Sequence, residues 1–315
     1  MSNLSSVLVT GGAGFIGSHL VEDLVSKDHK VTVLDNFSSK QTKISGAGVD
    51  IIEGDVCDLK RVMEVTKGVK IVYHLAAVLG VEYAYQHPTE TLDVEIMGTR
   101  NILEGIRKND VKMIVYGSSS EVYGEPTSLP INENDRTAPK STYGVAKLTG
   151  ERYCQAYSRM YGIDCVILRY FNVYGPRQDD RFVISRFIRA ALQGSPLGIF
   201  GDGNQIRDFT FVKDAVQLTV TAARTDRAKN QILNVGTGVA TKASDLAKLV
   251  LNLTGSNSSI VLKDFDQSNR PREIEVFNRL ADIGKARQLG YEPQISIHDG
   301  VAATISWIQG SPGLR

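Results

Sequence analysis

Short apolar runs alternate with longer amphipathic segments along the first half of the chain. The apolar runs are rich in β-branched residues and predict strands at 7–10, 30–35, 49–55, 71–77, 113–119 and 165–170. The segments between them predict helices near 15–27, 58–67, 89–109 and 142–161. Because these strands are almost continuously apolar, we expect a parallel sheet covered by helices on both faces. The pattern therefore predicts an α/β fold built on a doubly wound parallel sheet.

The pattern changes after Gly175-Pro176, where the elements become shorter and less regular. It predicts a helix near 183–193, a glycine-rich loop at 198–207, helices beginning near 214 and 243, a strand at 231–235 and a terminal helix after 298. We predict a larger domain over 1–174 and a smaller C-terminal α/β lobe over 175–315. A segment at about 205–236 is expected to return to the first sheet, with the ligand cleft where the two parts meet.

Composition and charge narrow the range of partners. The chain has 315 residues, of which 42% are hydrophobic and 23% charged, and its formal net charge is +1. Such a balance favours neither nucleic acid nor an anionic membrane surface as a partner. The three cysteines lack metal-ligand spacing, so we expect reduced thiols and no metal site. Since no apolar run is long enough to span a membrane and no signal peptide is visible, we expect a cytoplasmic protein.

A glycine-rich turn follows the first predicted strand and opens the first helix. Its residues, Gly11 to Gly17, allow a tight turn and bring a pyrophosphate close to a helix N-terminus. Asp35 ends the second strand, where a carboxylate binds a ribose 2′-hydroxyl and repels a 2′-phosphate, which favours NAD over NADP. The domain over 1–174 is thus predicted to bind NAD. The expected contacts are Gly11, Gly14, Phe15, Ile16, Gly17, Asp35, Asn36, Ser39, Asp55, Val56, Leu75, Ala76 and Ala77.

A tyrosine and a lysine four residues apart, Tyr143 and Lys147, fall on one face of a predicted helix. A lysine ammonium there can hold the phenol partly ionised near neutral pH, as acid/base chemistry requires. Upstream, Ser118 to Glu121 stand at the carboxyl end of a central strand, where ligands bind in open α/β sheets. Nucleotide fingerprint, serine cluster and Tyr/Lys pair occur in an order that predicts an enzyme.

Together these motifs resemble the extended short-chain dehydrogenase/reductase family, in its nucleotide-sugar epimerase/dehydratase branch. The resemblance covers nearly the whole chain and implies a Rossmann fold. It is carried by the stretches at 10–17, 143–147, 169–177 and 201–209, and by Arg270-Pro271-Arg272-Glu273 followed by Ala281-Asp282.

The resemblance also implies roles for single residues. Tyr143 would be the acid/base, and Lys147 would bind the nicotinamide ribose and lower the tyrosine pKa. Ser119 would contact the reacting sugar hydroxyl, and Tyr170 would lie near the nicotinamide. The residues implied to hold the nucleotide-diphosphate sugar, with UDP-sugars foremost, are Ser119, Ser120, Asn172, Arg207 and Arg270. A homodimer through the helices near 89–109 and 142–161 is also implied.

The branch shares one first step, oxidation of the sugar at C4, and divides at the second step. We predict a 4-epimerase acting on UDP-glucose and UDP-galactose or on a UDP-hexuronic acid. Glu121 keeps a UDP-glucuronate decarboxylase or a 4,6-dehydratase open, because those relatives carry a catalytic glutamate there. Arg279 aligns loosely with an arginine that decarboxylases use for the substrate carboxylate, and Glu95 stands where relatives commonly carry asparagine. A non-catalytic NAD-binding redox sensor is the alternative from a different class.

Overall fold

A seven-stranded parallel sheet forms the centre of the protein. The structure is a computed structural model that describes residues 5–38, 48–78, 80–267 and 271–310. The strands of the sheet are β1 Ser6–Thr10, β2 Lys30–Asp35, β3 Val49–Glu53, β4 Ile71–His74, β5 Met113–Ser119, β6 Asp164–Tyr170 and β7 Gln231–Val235. Their spatial order is β3, β2, β1, β4, β5, β6, β7, and every neighbouring pair is parallel. The order reverses beside β1, which confirms the doubly wound sheet predicted from the apolar runs.

Helices cover both faces of this sheet. In chain order the helices are α1 Phe15–Ser26, α2 Leu59–Val65, α3 Val81–Gln86, α4 Pro88–Leu92, α5 Gly98–Lys108, α6 Thr142–Tyr161, α7 Val183–Leu192, α8 Val212–Arg224, α9 Ala243–Thr254, α10 Gly284–Gln288 and α11 Ile297–Gly310. Alternate strand residues face opposite sides: Val7 and Val9 join the core under α1 and α8, and Leu8 joins the core under α2 and α5. Fully buried strands explain why the sequence shows continuous apolar runs rather than alternation.

The segment predicted as one helix near 89–109 contains a change of helical type. Between α4 and α5, residues Asp93–Met97 form a π-helical turn. Such wide turns are rare and occur most often at functional sites. The turn carries Glu95, whose side chain is buried.

A third hydrophobic core, besides the two on the faces of the sheet, lies in the C-terminal part of the chain. It is formed mainly by α7, α9 and α11 with two aromatic residues, Phe209 and Phe211. Three short strand pairs accompany it: Val173–Tyr174 with Thr210–Phe211, Ile206–Asp208 with Ala240–Lys242, and Leu197–Phe200 with Ile260–Lys263. The strand Gln231–Val235 belongs to the central sheet, beside β6. The division of the chain into domains at 174 and 175 stays a prediction.

Within the described residues, no helix has the length and apolar character that crossing a membrane requires.

Candidate active site

The glycine-rich turn joins β1 to α1 and leaves room for no side chain at two of its positions. Gly11 has a φ of +68°, and a Cβ there would lie 2.7 Å from the backbone nitrogen of Ala76. A Cβ on Gly17 would collide with the carbonyl oxygen of Gly11. Gly14 precedes the first turn of α1 and offers no side chain to cap its N–H groups. The turn is therefore a backbone cradle of the kind that holds a pyrophosphate.

One acidic residue, Asp35, ends the second strand, and another, Asp55, follows the third. Asp35 accepts hydrogen bonds from the backbone N–H groups of Ala13 and Phe37, both at 2.9 Å, so it ties the end of β2 to the glycine turn. Asp55 accepts from the Asn36 amide at 2.9 Å and from the Cys57 N–H at 2.8 Å. Burial raises the pKa of Asp55, but these hydrogen bonds outweigh burial and leave the pKa lowered. Asp55 is therefore a carboxylate at neutral pH.

Of the remaining predicted cofactor contacts, Leu75 and Ala76 border the same cradle, because a Cβ on Gly11 would lie within 2.9 Å of their backbone atoms. Leu75, Ala76 and Ala77 follow the end of β4, and the Ala76 N–H donates to the Thr10 hydroxyl at 3.2 Å. Strands β3 and β4 end earlier than predicted, at Glu53 and His74, so Asp55, Val56 and the Leu75–Ala77 run belong to the loops beyond them. Predicted contact Ser39 lies outside the described residues. Because the cradle has no room for a Cβ and Asp35 stands beside it, these residues fit NAD.

Tyr143 and Lys147 lie in the first turns of α6, which Ser141 caps by accepting from the Gly144 N–H at 3.1 Å. The Lys147 ammonium is 5.6 Å from the centroid of the Tyr143 ring. Ser119 ends β5, and its hydroxyl accepts from the Glu121 N–H at 3.2 Å. The structure thus brings Ser119, Tyr143 and Lys147 together near the carboxyl ends of the central strands.

The acidity of Tyr143 differs from the expectation. Burial raises its pKa to about 12, although the Lys147 ammonium acts in the predicted direction and lowers it. The carboxylates of Glu95 and Glu121 raise the pKa further, and a hydrogen bond with Ser119 lowers it. The prediction that Tyr143 is partly ionised near neutral pH is therefore wrong for the protein chain by itself. Desolvation raises the pKa of the phenol by more than the single Lys147 ammonium lowers it.

Lys147 makes a buried ion pair with Glu95, which the sequence analysis singled out as a departure from the family pattern without assigning its partner. Its Nζ lies 2.9 Å from Oε2 of Glu95, and both residues are almost completely buried. Burial lowers the pKa of Lys147, but the Glu95 carboxylate and Tyr143 outweigh burial and leave it raised. The lysine is therefore an ammonium. The signal in the sequence for this ion pair was Glu95 itself, a charged residue at a helical position surrounded by apolar side chains.

A second buried ion pair joins Glu121 to Arg279. The Arg279 Nη2 donates to Oε1 of Glu121 at 2.5 Å. Among the described residues, neither Oε2 of Glu121 nor Nε of Arg279 has a hydrogen-bond partner. Buried polar atoms of this kind are nearly always satisfied, so their presence beside Ser119 and Tyr143 marks a place for polar ligand atoms.

The other predicted substrate and nicotinamide residues have identifiable surroundings. The Tyr170 hydroxyl pairs with Thr219 at 2.8 Å, and burial raises its pKa. Asn172 has a φ of +22°, and its buried Oδ1 has no partner among the described residues. Arg207 donates to Oε1 of Glu275 at 2.7 Å. Ser120 is buried in the turn after β5, and Arg270 lies outside the described residues.

Comparison with known proteins decides the family. Residues 7–236 match the model of the NAD dependent epimerase/dehydratase family. The chain belongs to this family. Its match spans both the glycine turn and the Tyr143/Lys147 pair, which confirms the resemblance stated from the motifs.

Individual relatives of the epimerase/dehydratase family cover nearly all of the chain. A UDP-N-acetyl-alpha-D-glucosaminuronate decarboxylase from Bacillus cytotoxicus is 38% identical over 96% of this chain and 97% of its own. The crystal structure of UDP-glucose 4-epimerase with UDP-glucose from Thermotoga maritima is 34% identical, with a TM-score of 0.91 over 97% of this chain and 99% of that one. UDP-glucuronic acid 4-epimerase from Bacillus cereus, in complex with UDP-glucuronic acid and NAD, is 32% identical, with a TM-score of 0.89 over the same shares of both chains.

A third buried ion pair in this epimerase/dehydratase family member is structural. Arg169 binds Glu151 through two hydrogen bonds, at 2.8 and 2.7 Å, and Ser118 donates to the same carboxylate at 2.5 Å. These contacts fix α6, and with it Tyr143, against the ends of β5 and β6. Sequence reasoning assigned Arg169 only to a family stretch and gave Glu151 no role.

Proposed function

We propose that the protein is an NAD-dependent UDP-sugar 4-epimerase, acting on UDP-glucose and UDP-galactose or on a UDP-hexuronic acid. The observation that carries this proposal is the placement of Ser119, Tyr143 and Lys147 at the same sheet edge as the glycine cradle and Asp35. Two structural neighbours, the Thermotoga and Bacillus cereus epimerases, support it.

The chain's residues divide the work of the reaction. NAD, when bound, supplies the reversible two-electron acceptor and adds a positive charge to the site. Tyr143 removes the proton of the sugar 4-hydroxyl, Ser119 hydrogen-bonds the same oxygen, and Lys147 lowers the pKa of the phenol. Loss of this proton together with a hydride from C4 leaves a 4-keto sugar, which presents its other face. C4 then takes the hydride back, and the C4 oxygen takes its proton from Tyr143. Since burial raises the pKa of Tyr143 to about 12 in the chain alone, added positive charge is needed for the phenolate to form.

Arg207 is proposed to bind the pyrophosphate of the UDP-sugar. A guanidinium suits this ligand because its paired N–H groups match phosphate oxygens. In the structure one of these N–H groups donates to Glu275 and two hydrogen bonds go to the carbonyl oxygens of Ile206 and Phe277. These contacts orient the guanidinium before a nucleotide arrives.

A UDP-hexuronate decarboxylase is a second candidate, and the Glu121–Arg279 pair favours it. A C6 carboxylate lies β to the C4 ketone formed in the first step. Loss of CO₂ breaks the C5–C6 bond, the electron pair moves into the C4 enolate, and C5 then takes a proton. Arg279 could bind the carboxylate with its unpartnered Nε, while the ionised Glu121 holds the guanidinium in place and the proton for C5 comes from solvent. The Bacillus cytotoxicus relative supports this second candidate.

Product analysis tests both candidates. We expect the purified protein, loaded with NAD, to convert UDP-glucose or UDP-glucuronate into its 4-epimer, with UDP-galactose and GDP-mannose as further substrates in the panel. The variant Tyr143→Phe should keep the cofactor and lose at least about 100-fold in turnover, because it lacks the acid/base group. Release of CO₂ from UDP-glucuronate would instead establish the decarboxylase. A stable 4-keto-6-deoxy product would contradict both.

The assembly is proposed to be a homodimer in the cytoplasm. Helices α5 and α6 lie side by side, joined by a hydrogen bond from the Tyr157 hydroxyl to Glu104 at 2.5 Å and by Arg107 over the Tyr161 ring. Met160 and Tyr161 are exposed on this pair of helices. All three cysteine thiols are free, which agrees with a reducing compartment.

A further inference from the structure

Glu95 is a buried carboxylate at the catalytic centre that the proposed reaction does not use. It is 1% exposed and lies on the π-helical turn between α4 and α5. Its Oε2 is 2.9 Å from the Lys147 ammonium, and its Oε1 accepts the backbone N–H of Val78 at 3.1 Å. One side chain thus joins the loop after β4 to the catalytic lysine on α6.

The contacts of Glu95 fit the ionised carboxylate. A protonated acid would need an acceptor for its own O–H, but each oxygen of Glu95 faces a donor. Burial raises the pKa of Glu95, while the Lys147 ammonium and the Val78 N–H act against burial. Glu95 and Lys147 together therefore place a neutral pair, rather than a lone positive charge, next to Tyr143.

Other ionisable groups near this pair are neutral or already paired. On β4, burial lowers the pKa of His74 to about 3, so the imidazole is uncharged. The Tyr116 ring on β5, 5.4 Å from the Lys147 Nζ, and the Cys154 thiol on α6 are kept protonated by burial, which raises the pKa of each. Two further carboxylates have their own partners: Glu121 is bound to Arg279, and Glu151 to Arg169. Glu95 is thus the charged group in direct contact with Lys147 among the described residues.

We propose that Glu95 is a positioning residue that acts through Lys147: its carboxylate fixes the ammonium beside Tyr143 and offsets part of the ammonium's effect on the phenol. The proposal rests on the proposed function only for the role of Tyr143 as acid/base. A neutral residue at this position would leave Lys147 with its full charge and make the phenol more acidic. With Glu95 present, the phenol holds its proton more strongly, so fewer molecules carry the phenolate that begins the reaction, and each phenolate that does form is a stronger base.

Two consequences can be separated by experiment. Loss of the Glu95 charge shifts the pKa of Tyr143. Loss of the contact that holds the Lys147 ammonium in place lowers the maximal rate. Glu95→Gln keeps the shape and removes the charge. We expect it to lower the Tyr143 pKa by about one unit and to move the acid limb of the pH–rate profile by the same amount. Glu95→Asp keeps the charge, so we expect its limb to stay within about half a unit of that of the wild type while its maximal rate falls.

The equilibrium test is a ¹³C NMR titration of NAD-loaded protein labelled at the ζ-carbon of tyrosine, with Tyr143→Phe used to assign the signal. No sugar enters this measurement, so it stands whether or not the 4-epimerase assay succeeds. Asp214→Asn is the control, because it also neutralises a buried carboxylate, one that lies on α8 rather than on the helix of Tyr143 and accepts from the backbone N–H groups of Gln294 and Ile295. We expect it to leave the Tyr143 signal at the wild-type midpoint.

A thermodynamic cycle guards against a variant that fails to fold. Glu95→Gln leaves Lys147 charged and unpaired in the interior, whereas the double variant Glu95→Gln, Lys147→Met removes both charges. We expect Lys147→Met alone to raise the Tyr143 midpoint and the double variant to return it toward the wild-type value. The proposal is overturned if the Tyr143 midpoint of the double variant equals that of Lys147→Met. It is also overturned if the midpoint of a folded Glu95→Gln equals that of the wild type.

Discussion

At the scale of single residues, His74 is a buried imidazole whose two ring nitrogens both have hydrogen-bond partners inside the protein. Its Nδ1 lies 2.7 Å from the Thr10 hydroxyl and its Nε2 lies 3.1 Å from the Thr99 hydroxyl. The Thr99 hydroxyl donates its own proton to the carbonyl oxygen of Glu95, so it is the acceptor of the hydrogen bond from Nε2–H of His74. Thr10 therefore donates to Nδ1, and the ring is the neutral Nε2–H tautomer.

The buried, neutral state of the His74 ring predicts that the stability of the protein depends on pH. Burial lowers the pKa of folded His74 from 6.5 to about 3, and the Lys147 ammonium adds to the effect. Above pH 6.5 neither the folded nor the unfolded form carries the proton. Below it, only the unfolded chain binds the proton, so the free energy of unfolding falls by up to about 1.4 kcal/mol per pH unit until about pH 3. The contribution is thus complete at neutral pH and lost in acid.

Urea unfolding of the wild type and of His74→Gln between pH 7 and pH 4 measures this contribution. Other groups titrate in both proteins, so the difference between their free energies isolates His74. We expect the wild type to lose about 3 kcal/mol more than the variant over that range. His298→Gln, which replaces an exposed imidazole, should follow the wild type. Parallel curves for the wild type and His74→Gln would contradict the assignment.

At the scale of elements, the turn between β1 and α1 couples folding to cofactor binding. A Cβ on Gly17 would collide with backbone, the carbonyl oxygen of Gly11, which cannot move without displacing the turn. We expect Gly17→Ala to destabilise the protein by about 2 kcal/mol and to abolish measurable NAD binding, because the helix start is pushed away from the cradle.

Gly14→Ala is the control for this prediction. Its added Cβ would lie 3.2 Å from the same Gly11 oxygen, which a small adjustment relieves. We expect less than about half the loss of stability seen for Gly17→Ala. Thermal unfolding and calorimetric titration with NAD measure the two effects. Equal losses in the two variants would show that the Gly17–Gly11 contact is not what limits the turn.

The same turn shows what the sequence reveals about elements. A strand, a glycine run and a helix are contiguous, so local rules predicted all three, and continuous apolar strands predicted a parallel sheet. The spacing of Tyr143 and Lys147 likewise predicted their shared helix face. The π-helical turn was not predictable, because it inserts no recognisable residue. Without it, the contact between Glu95 and Lys147, which lie far apart in the sequence, could not be inferred. The contact between Arg207 and Glu275 was not predictable either, because it depends on how the C-terminal segment returns to the site.

At the scale of the whole molecule, α6, which carries Tyr143 and Lys147, and the segment that leads into α5 present an exposed apolar surface. Val145 is 46% exposed, Met160 70% and Tyr161 46% on α6, and Met97 is 40% exposed beside α5. Stable interfaces bury about 800 Å² on each partner and are rich in such aromatic and methionine side chains. Two copies of this surface facing each other would form the four-helix contact implied for the proposed homodimer.

The variant Val145→Glu, Met160→Glu tests this surface. A dimer would bring four new carboxylates into one apolar interface, so we expect the wild type to have the mass of two chains by light scattering and the variant the mass of one. Val239→Glu, Leu262→Glu is the matched control, since each of these aliphatic residues is 59% exposed and the charge change is the same. The control should keep the wild-type mass. If it dissociates while the α6 variant does not, the contact lies on the C-terminal part instead, and α6 would be free of any partner subunit.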